Sequence, residues 1–174
     1  MHKIILLGDS GVGKTSLVRR FVRQEFQPVY TATFGVAIEQ VTPGWSKDPK
    51  LGTTALAVWD IEGSTEPSPR TETYMRGAAG AILVADATRP RTRNGLIEHG
   101  EFFAGIEPAA AMLVVENKCD IAPPDPDALR EIADDLGAGV LQTSAKTGEG
   151  VIAAFEALVA EVLGLGRPPV GGGA

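Results

Sequence analysis

Apolar positions along the chain fall into short blocks, and the period within each block separates strands from helices. K-I-I-L-L at Lys3–Leu7 is nearly continuous in apolar character, as a strand buried on both faces requires. A Gly-rich turn follows, and a helix is predicted from Thr15 to Gln24, with Leu17, Val18, Phe21 and Val22 on one face. Val36–Val41 and Ala55–Ile61 alternate with the strand period, and the turn-rich P-G-W-S-K-D-P-K-L-G between them reads as a long hairpin loop. Ala81–Asp86 and Met112–Glu116 are predicted buried strands, with a helix over Asn94–Ala104 between them. Asp125 followed by Pro126 predicts an N-cap and first helical residue, and that helix runs to Leu136 and stops at Gly137. Val140–Thr143 is a last short strand, and Glu149–Leu163 a last helix, lined by Val151, Phe155, Leu158 and Val162. From Gly164 the periodicity is lost, so residues 1–163 are expected to form one domain and 164–174 a disordered Gly/Pro-rich tail.

Strands alternating with helices predict an α/β fold, a six-stranded, mostly parallel sheet with helices on both faces. Ligands in such folds sit beyond the carboxyl ends of the strands. Chemistry is therefore expected just after Leu7, Ile61, Glu116 and Thr143.

Composition narrows the classes of partner. The 174 residues are 44% apolar and 22% charged, with a net charge of −6, so no broad basic field exists for nucleic acid or anionic lipid. A polyanion would need a local positive pocket. One cysteine, Cys119, excludes an internal disulfide framework and fits a reducing compartment. The N-terminal apolar run is too short for a signal peptide, no stretch reaches the roughly 20 apolar residues of a membrane span, and the C-terminus carries no cysteine for a lipid anchor. The expectation is a cytoplasmic, unanchored monomer.

The positive pocket is written at the first strand end. G-D-S-G-V-G-K-T, Gly8–Thr15, matches G-x-x-x-x-G-K-[ST] after a strand and before a helix, the context of a P-loop. Its glycines let consecutive backbone N–H groups face phosphates, so Ser10, Gly11, Val12, Gly13, Lys14, Thr15 and Ser16 are candidate nucleotide-binding residues. Lys14 would bridge the β- and γ-phosphates, and the Thr15 hydroxyl would bind Mg²⁺. A P-loop alone admits ATPases, kinases and GTPases. N-K-C-D at 117–120 offers Asp120 to guanine N1–H and the exocyclic amine, with Asn117 and Lys118 orienting and flanking the ring. S-A-K at 144–146 follows another strand, where the Ala145 N–H can meet guanine O6, between Ser144 and Lys146. The two sites, in that order beside one P-loop, point to guanine.

These motifs, with T-F-G-V, W-D-x-x-G and Y-M-R-G-A-A-G-A-I-L-V-A-D-A-T, resemble the Ras-like small GTPases, the Rab branch most closely, over residues 3–163. The resemblance implies a P-loop NTPase fold and GTP/GDP with Mg²⁺ as ligands. It further implies that Phe26 stacks on the base, Tyr30 lies over the phosphates and Thr33 completes the Mg²⁺ shell. Asp60 would hold the ion through water, and the Gly63 N–H would sense the γ-phosphate. Effector, exchange factor and GTPase-activating protein would bind through residues 26–40 and 60–76.

The chain departs from that family at several positions. Ser64 stands where the family has a water-orienting glutamine, and Glu62 where it has alanine. Glu62 can turn to solvent, take a proton from the attacking water, or approach Mg²⁺ in the GDP state. Lys14, Ser64 and Glu62 are thus the candidate catalytic residues. The prolines of P-S-P-R at 67–70 predict a less helical switch segment, with Arg70 a solvated loop residue rather than an internal arginine finger. Arg89, Arg91 and Arg93 are expected to face water from a loop, His2 and His99 show no partner pattern, and Cys119 reads as a packing residue. The expected function is a switch that hydrolyses GTP slowly. A guanine-nucleotide sensor with negligible hydrolysis is the alternative, and a P-loop kinase or ATPase is disfavoured by the guanine motifs.

Overall fold

The computed structural model describes residues 1–27, 35–61 and 68–166. Strands β1 (His2–Leu7), β2 (Val36–Val41), β3 (Leu56–Ile61), β4 (Gly80–Asp86), β5 (Ala111–Asn117) and β6 (Gly139–Gln142) form one six-stranded sheet in the order β2-β3-β1-β4-β5-β6. Only β2 runs antiparallel to its neighbour β3, and the other pairs are parallel. Helices α1 (Lys14–Arg23) to α6 (Val151–Val162) include α4 (Asn94–Ile106) and α5 (Pro126–Asp135).

The continuous apolar run of β1 is explained by two cores. Ile4 and Leu6 face Leu17, Phe21, Phe155 and Leu158 of α1 and α6, whereas Ile5 and Leu7 face the opposite cluster with Leu96, Phe103 and Leu129 of α4 and α5. Successive side chains of a strand point to opposite faces, so a sheet covered on both sides needs apolar residues at every position. The sheet brings the carboxyl ends of β1, β3, β4 and β5 to one edge, where the motif-bearing loops begin.

Two connectors differ from the sequence expectation. The 43–52 loop contains a short helix, α2 (Pro49–Gly52), capped by the Asp48 side chain, which accepts from the Lys50 N–H at 2.8 Å. Trp45 anchors it: the indole donates to Thr54 O at 2.8 Å and meets Phe21 edge-on, and Phe21 stacks on Phe155 at 3.7 Å between centroids. A half-buried indole that satisfies its N–H contributes apolar area to holding a loop down. The second connector, P-S-P-R, is not poorly helical from Ser68 onward. Helix α3 (Pro69–Met75) starts inside it, because Ser68 accepts from the Thr71 N–H at 3.2 Å and Pro69 takes the first position, where no N–H is needed.

After α6 the chain turns at Gly164, whose N–H bonds to Glu161 O at 3.0 Å. The rest of the tail expected to be disordered, 167–174, lies outside the described residues. Among the described residues no helix is long and apolar enough to cross a membrane.

Candidate functional site

The loop from Gly8 to Gly13 leaves β1 and opens α1. Gly8 and Gly13 are fixed by close approach: a Cβ at Gly8 would lie 2.3 Å from Val84 O, and one at Gly13 would lie 2.3 Å from Asn117 Nδ2, with φ at +137° and +104°. Both conformations favour glycine. Each carbonyl of the loop has a donor. Lys14 Nζ reaches Gly8 O at 2.7 Å and Asp9 O at 3.0 Å. Arg89 Nη2 reaches Ser10 O at 3.0 Å, Lys118 Nζ reaches Gly11 O at 2.9 Å and Asn117 Nδ2 reaches Val12 O at 3.0 Å. The Leu17 N–H takes Gly13 O at 2.9 Å. With its carbonyls held by these donors, the loop has the form of a backbone nest at a helix N-terminus, a form suited to an anion. Lys14 is 6% exposed, and its burial lowers its pKa to about 8 against the pull of Asp60 and Asp9, with Arg89 lowering it further. Ser16 is half-buried on α1.

Thr15 donates to Asp60 Oδ2 at 2.5 Å, which joins the start of α1 to the end of β3. A hydroxyl and a carboxylate are hard oxygen donors, and Mg²⁺ is ordinarily held by one or two carboxylates plus substrate phosphates rather than by an all-protein cage. Among the described residues no group of three or more His, Cys, Asp or Glu could hold a metal. The Thr15 hydroxyl and the Asp60 carboxylate have the chemistry that would suit Mg²⁺ alongside substrate phosphates.

The base motifs meet at Asn117, which is 1% exposed. Its Oδ1 accepts from Thr143 Oγ1 at 3.2 Å and from the Ala145 N–H at 3.1 Å, while its Nδ2 holds Val12 O. Ala145, expected to offer its N–H to the base, therefore gives it to Asn117 here. Asp120 accepts from Ser144 Oγ at 2.6 Å, and Lys146 Nζ lies 3.7 Å from its other oxygen. Lys118, at φ +68°, turns to the P-loop and to Asp86 Oδ2 at 2.6 Å. Cys119 is half-buried, its N–H on Thr143 O and its thiol on Glu116 O, and burial raises its pKa. Phe26 is half-buried against the α1–α6 core. Tyr30, Thr33, Glu62, Gly63 and Ser64 lie outside the described residues.

Three sets of partners escape the sequence reading. Arg89 and Arg93 do not simply face water: Arg89 pairs with the fully buried Asp86 at 2.8 Å, and Arg93 pairs with the fully buried Glu116 at 2.7 Å. They sit on a 3-10 turn, Pro90–Arg93, and its N-cap, which aims them back at β4 and β5, while Arg91 is exposed. His99 does have a partner, since its Nε2 lies 3.6 Å from Asp9 Oδ1, and its burial lowers its pKa. Arg20, on α1, clamps the S-A-K loop through Nε to Ala145 O at 2.8 Å and Nη2 to Lys146 O at 2.5 Å. A partner 125 residues away leaves no local signal at Arg20. Arg70 is exposed on α3, its Nε on the Tyr74 hydroxyl at 3.1 Å.

The profile of the family described as "Ras of Complex, Roc, domain of DAPkinase" matches residues 3–120. Ras-related protein Rab-25 of Homo sapiens is 35% identical over 170 residues, covering 93% of this chain and 76% of that protein. Ras-related protein Rab-18 of Lymnaea stagnalis is 35% identical over 174 residues, covering 92% and 80%. Ras-related protein RABA5b of Arabidopsis thaliana is 34% identical over 167 residues, covering 93% and 75%. With the P-loop, N-K-C-D and S-A-K gathered at one sheet edge, these similarities establish that the chain belongs to the Ras-like small GTPases, with Rab proteins among its relatives, and is a GTP hydrolase of that family.

Proposed function

We propose that the protein is a guanine-nucleotide switch that binds GTP and GDP with Mg²⁺ and hydrolyses GTP slowly to GDP and phosphate. The observation that carries this reading is Asn117, whose one amide ties the S-A-K strand end to the P-loop, so that base and phosphate recognition form a single unit. In that unit Asp120, held by Ser144 and Lys146, accepts the N1–H and amine of guanine. Lys118 flanks the base, and Phe26 stacks on it once the Phe26 ring leaves its packing. Lys14 exchanges its two carbonyls for β- and γ-phosphate oxygens. Thr15, Asp60 and Thr33 hold Mg²⁺, which when bound neutralises charge on those oxygens. Tyr30 covers the phosphates, and the Gly63 N–H reads the γ-phosphate. The reading places effector, exchange factor and activating protein on residues 26–40 and 60–76, in a cytoplasmic monomer whose domain is 1–163.

Slow turnover follows from Ser64, whose hydroxyl is shorter than the glutamine amide that orients water in this class. Single-turnover hydrolysis with Ser64→Gln tests it, and the variant is expected to be faster than the wild type. Glu62→Ala is the companion: little change places the carboxylate in solvent. If Ser64→Gln has no effect and Glu62→Ala abolishes hydrolysis, Glu62 manages the water and the account of a deficient site is wrong. Bound GTP that never turns over would select the second reading, also motivated by Ser64, of a nucleotide sensor.

A further inference from the structure

The motifs assign no role to Arg89, yet it joins the P-loop to a buried charge shared with the base motif. We propose that Arg89 is a positioning residue for the phosphate cradle, gripping Ser10 O so that the Ser10–Gly11 backbone is held open for the β-phosphate. Its Nη2 donates to Ser10 O at 3.0 Å while its Nε pairs with Asp86 Oδ2 at 2.8 Å. Lys118 mirrors it, donating to Gly11 O at 2.9 Å and to the same Asp86 oxygen at 2.6 Å. Two adjacent P-loop carbonyls are thus held by two cations on one carboxylate, and that carboxylate is wholly buried at the end of β4.

The anchor is itself constrained. Thr88 donates to Asp86 Oδ1 through its hydroxyl at 2.6 Å and its N–H at 2.9 Å, and the Asp86 N–H is taken by Thr92 Oγ1 at 2.9 Å. The carboxylate therefore has little freedom to swing with the arginine, and Arg89 is oriented by a fixed post. The planar guanidinium fork suits this task because two of its nitrogens address two oxygens in set directions, whereas an ammonium is a point donor on a flexible stem. The division of labour is also defined: Lys118 belongs to the base motif and Arg89 does not, and the Lys118–Asp86 contact does not pass through Arg89.

This inference rests on the nucleotide-binding reading above, and the experiment keeps the two apart. Affinities for GDP and for GMP, which shares the base but lacks the β-phosphate, are measured for wild type, Arg89→Ala, Arg89→Lys and Arg91→Ala. A wild type that does not prefer GDP to GMP would sink the nucleotide reading itself. Given that preference, Arg89→Ala is expected to weaken GDP about tenfold, the scale of one charge-assisted hydrogen bond, while GMP changes less than twofold. Arg89→Lys, the milder change should the alanine variant fail to fold, is expected to keep most of that selective loss, because a single point donor on a flexible stem does not fix Ser10 O as two nitrogens of a planar fork do. Arg91→Ala, at an exposed neighbour, is expected to leave both affinities unchanged. Equal losses for GDP and GMP would mean that Arg89 only stabilises the fold, and no loss for either would mean that it does not act on the cradle. Full recovery by lysine would show that a cation beside Asp86 suffices and that the two-nitrogen grip of the guanidinium does not position the cradle. Each of these three outcomes overturns the proposal.

Discussion

Asp120 and His99 show how differently single residues disclose their roles. Asp120 carries a local signal, a motif of four residues at a strand end, and the structure adds the groups beside it, Ser144 and Lys146. Replacing it with Asn should move preference from guanine to xanthine nucleotides, since xanthine presents a carbonyl where guanine has its amine. Competition between GDP and XDP checks this, and a variant that still favours GDP would contradict the assigned contact. His99 was not readable, because its partner Asp9 arrives from the P-loop through tertiary packing, with Gly95 leaving room: a Cβ there would sit 2.8 Å from Asp9 Oδ1. Burial lowers the His99 pKa and is opposed by Asp9 and Glu98 and aided by Lys14. Since the unfolded chain takes the proton more readily, this contribution to stability is present above about pH 6.5 and is lost as pH falls from there toward the folded pKa. Urea unfolding at pH 7.5 and 5.5 should show a larger loss for wild type than for His99→Gln, and equal losses would refute the linkage.

Elements were read from period and punctuation, and they agree with the structure where both are strong. β2 has the predicted bounds, and α5 begins at Pro126 with Asp125 accepting from the Ala128 N–H at 3.1 Å. The misjudged elements are short. Four residues of α2 and seven of α3 are too few for a periodic pattern, and both are set by a cap followed by proline, a signal overlooked at 48–49 and 68–69. At Ser68 the hydroxyl serves both the Thr71 N–H and the Thr71 side chain, the latter at 2.7 Å. Ser68→Ala should therefore cost about 1 kcal/mol of stability, the usual worth of an N-cap. Chemical denaturation measures it, and an unchanged midpoint would show that α3 does not depend on its cap.

At the scale of the molecule, the parallel sheet converts motifs far apart in sequence into one edge, and the strand-end rule foresaw where they would meet. The wiring between them was not foreseen. Arg20 to the S-A-K loop, Arg93 to Glu116, and Arg89 with Lys118 around Asp86 join residues whose side chains give no hint of mutual reach until the strands are ordered. The group expected to discriminate is Asp120, because a base without the N1–H and amine of guanine would leave its carboxylate unpaired, and such a penalty can reach about 10⁴-fold. Displacement of a fluorescent GDP from the wild-type protein in Mg²⁺ by unlabelled GTP, GDP and ATP tests the central claim most directly. GTP and GDP are predicted to displace it at concentrations orders of magnitude below ATP, and displacement by ATP as readily as by GTP would contradict the guanine site.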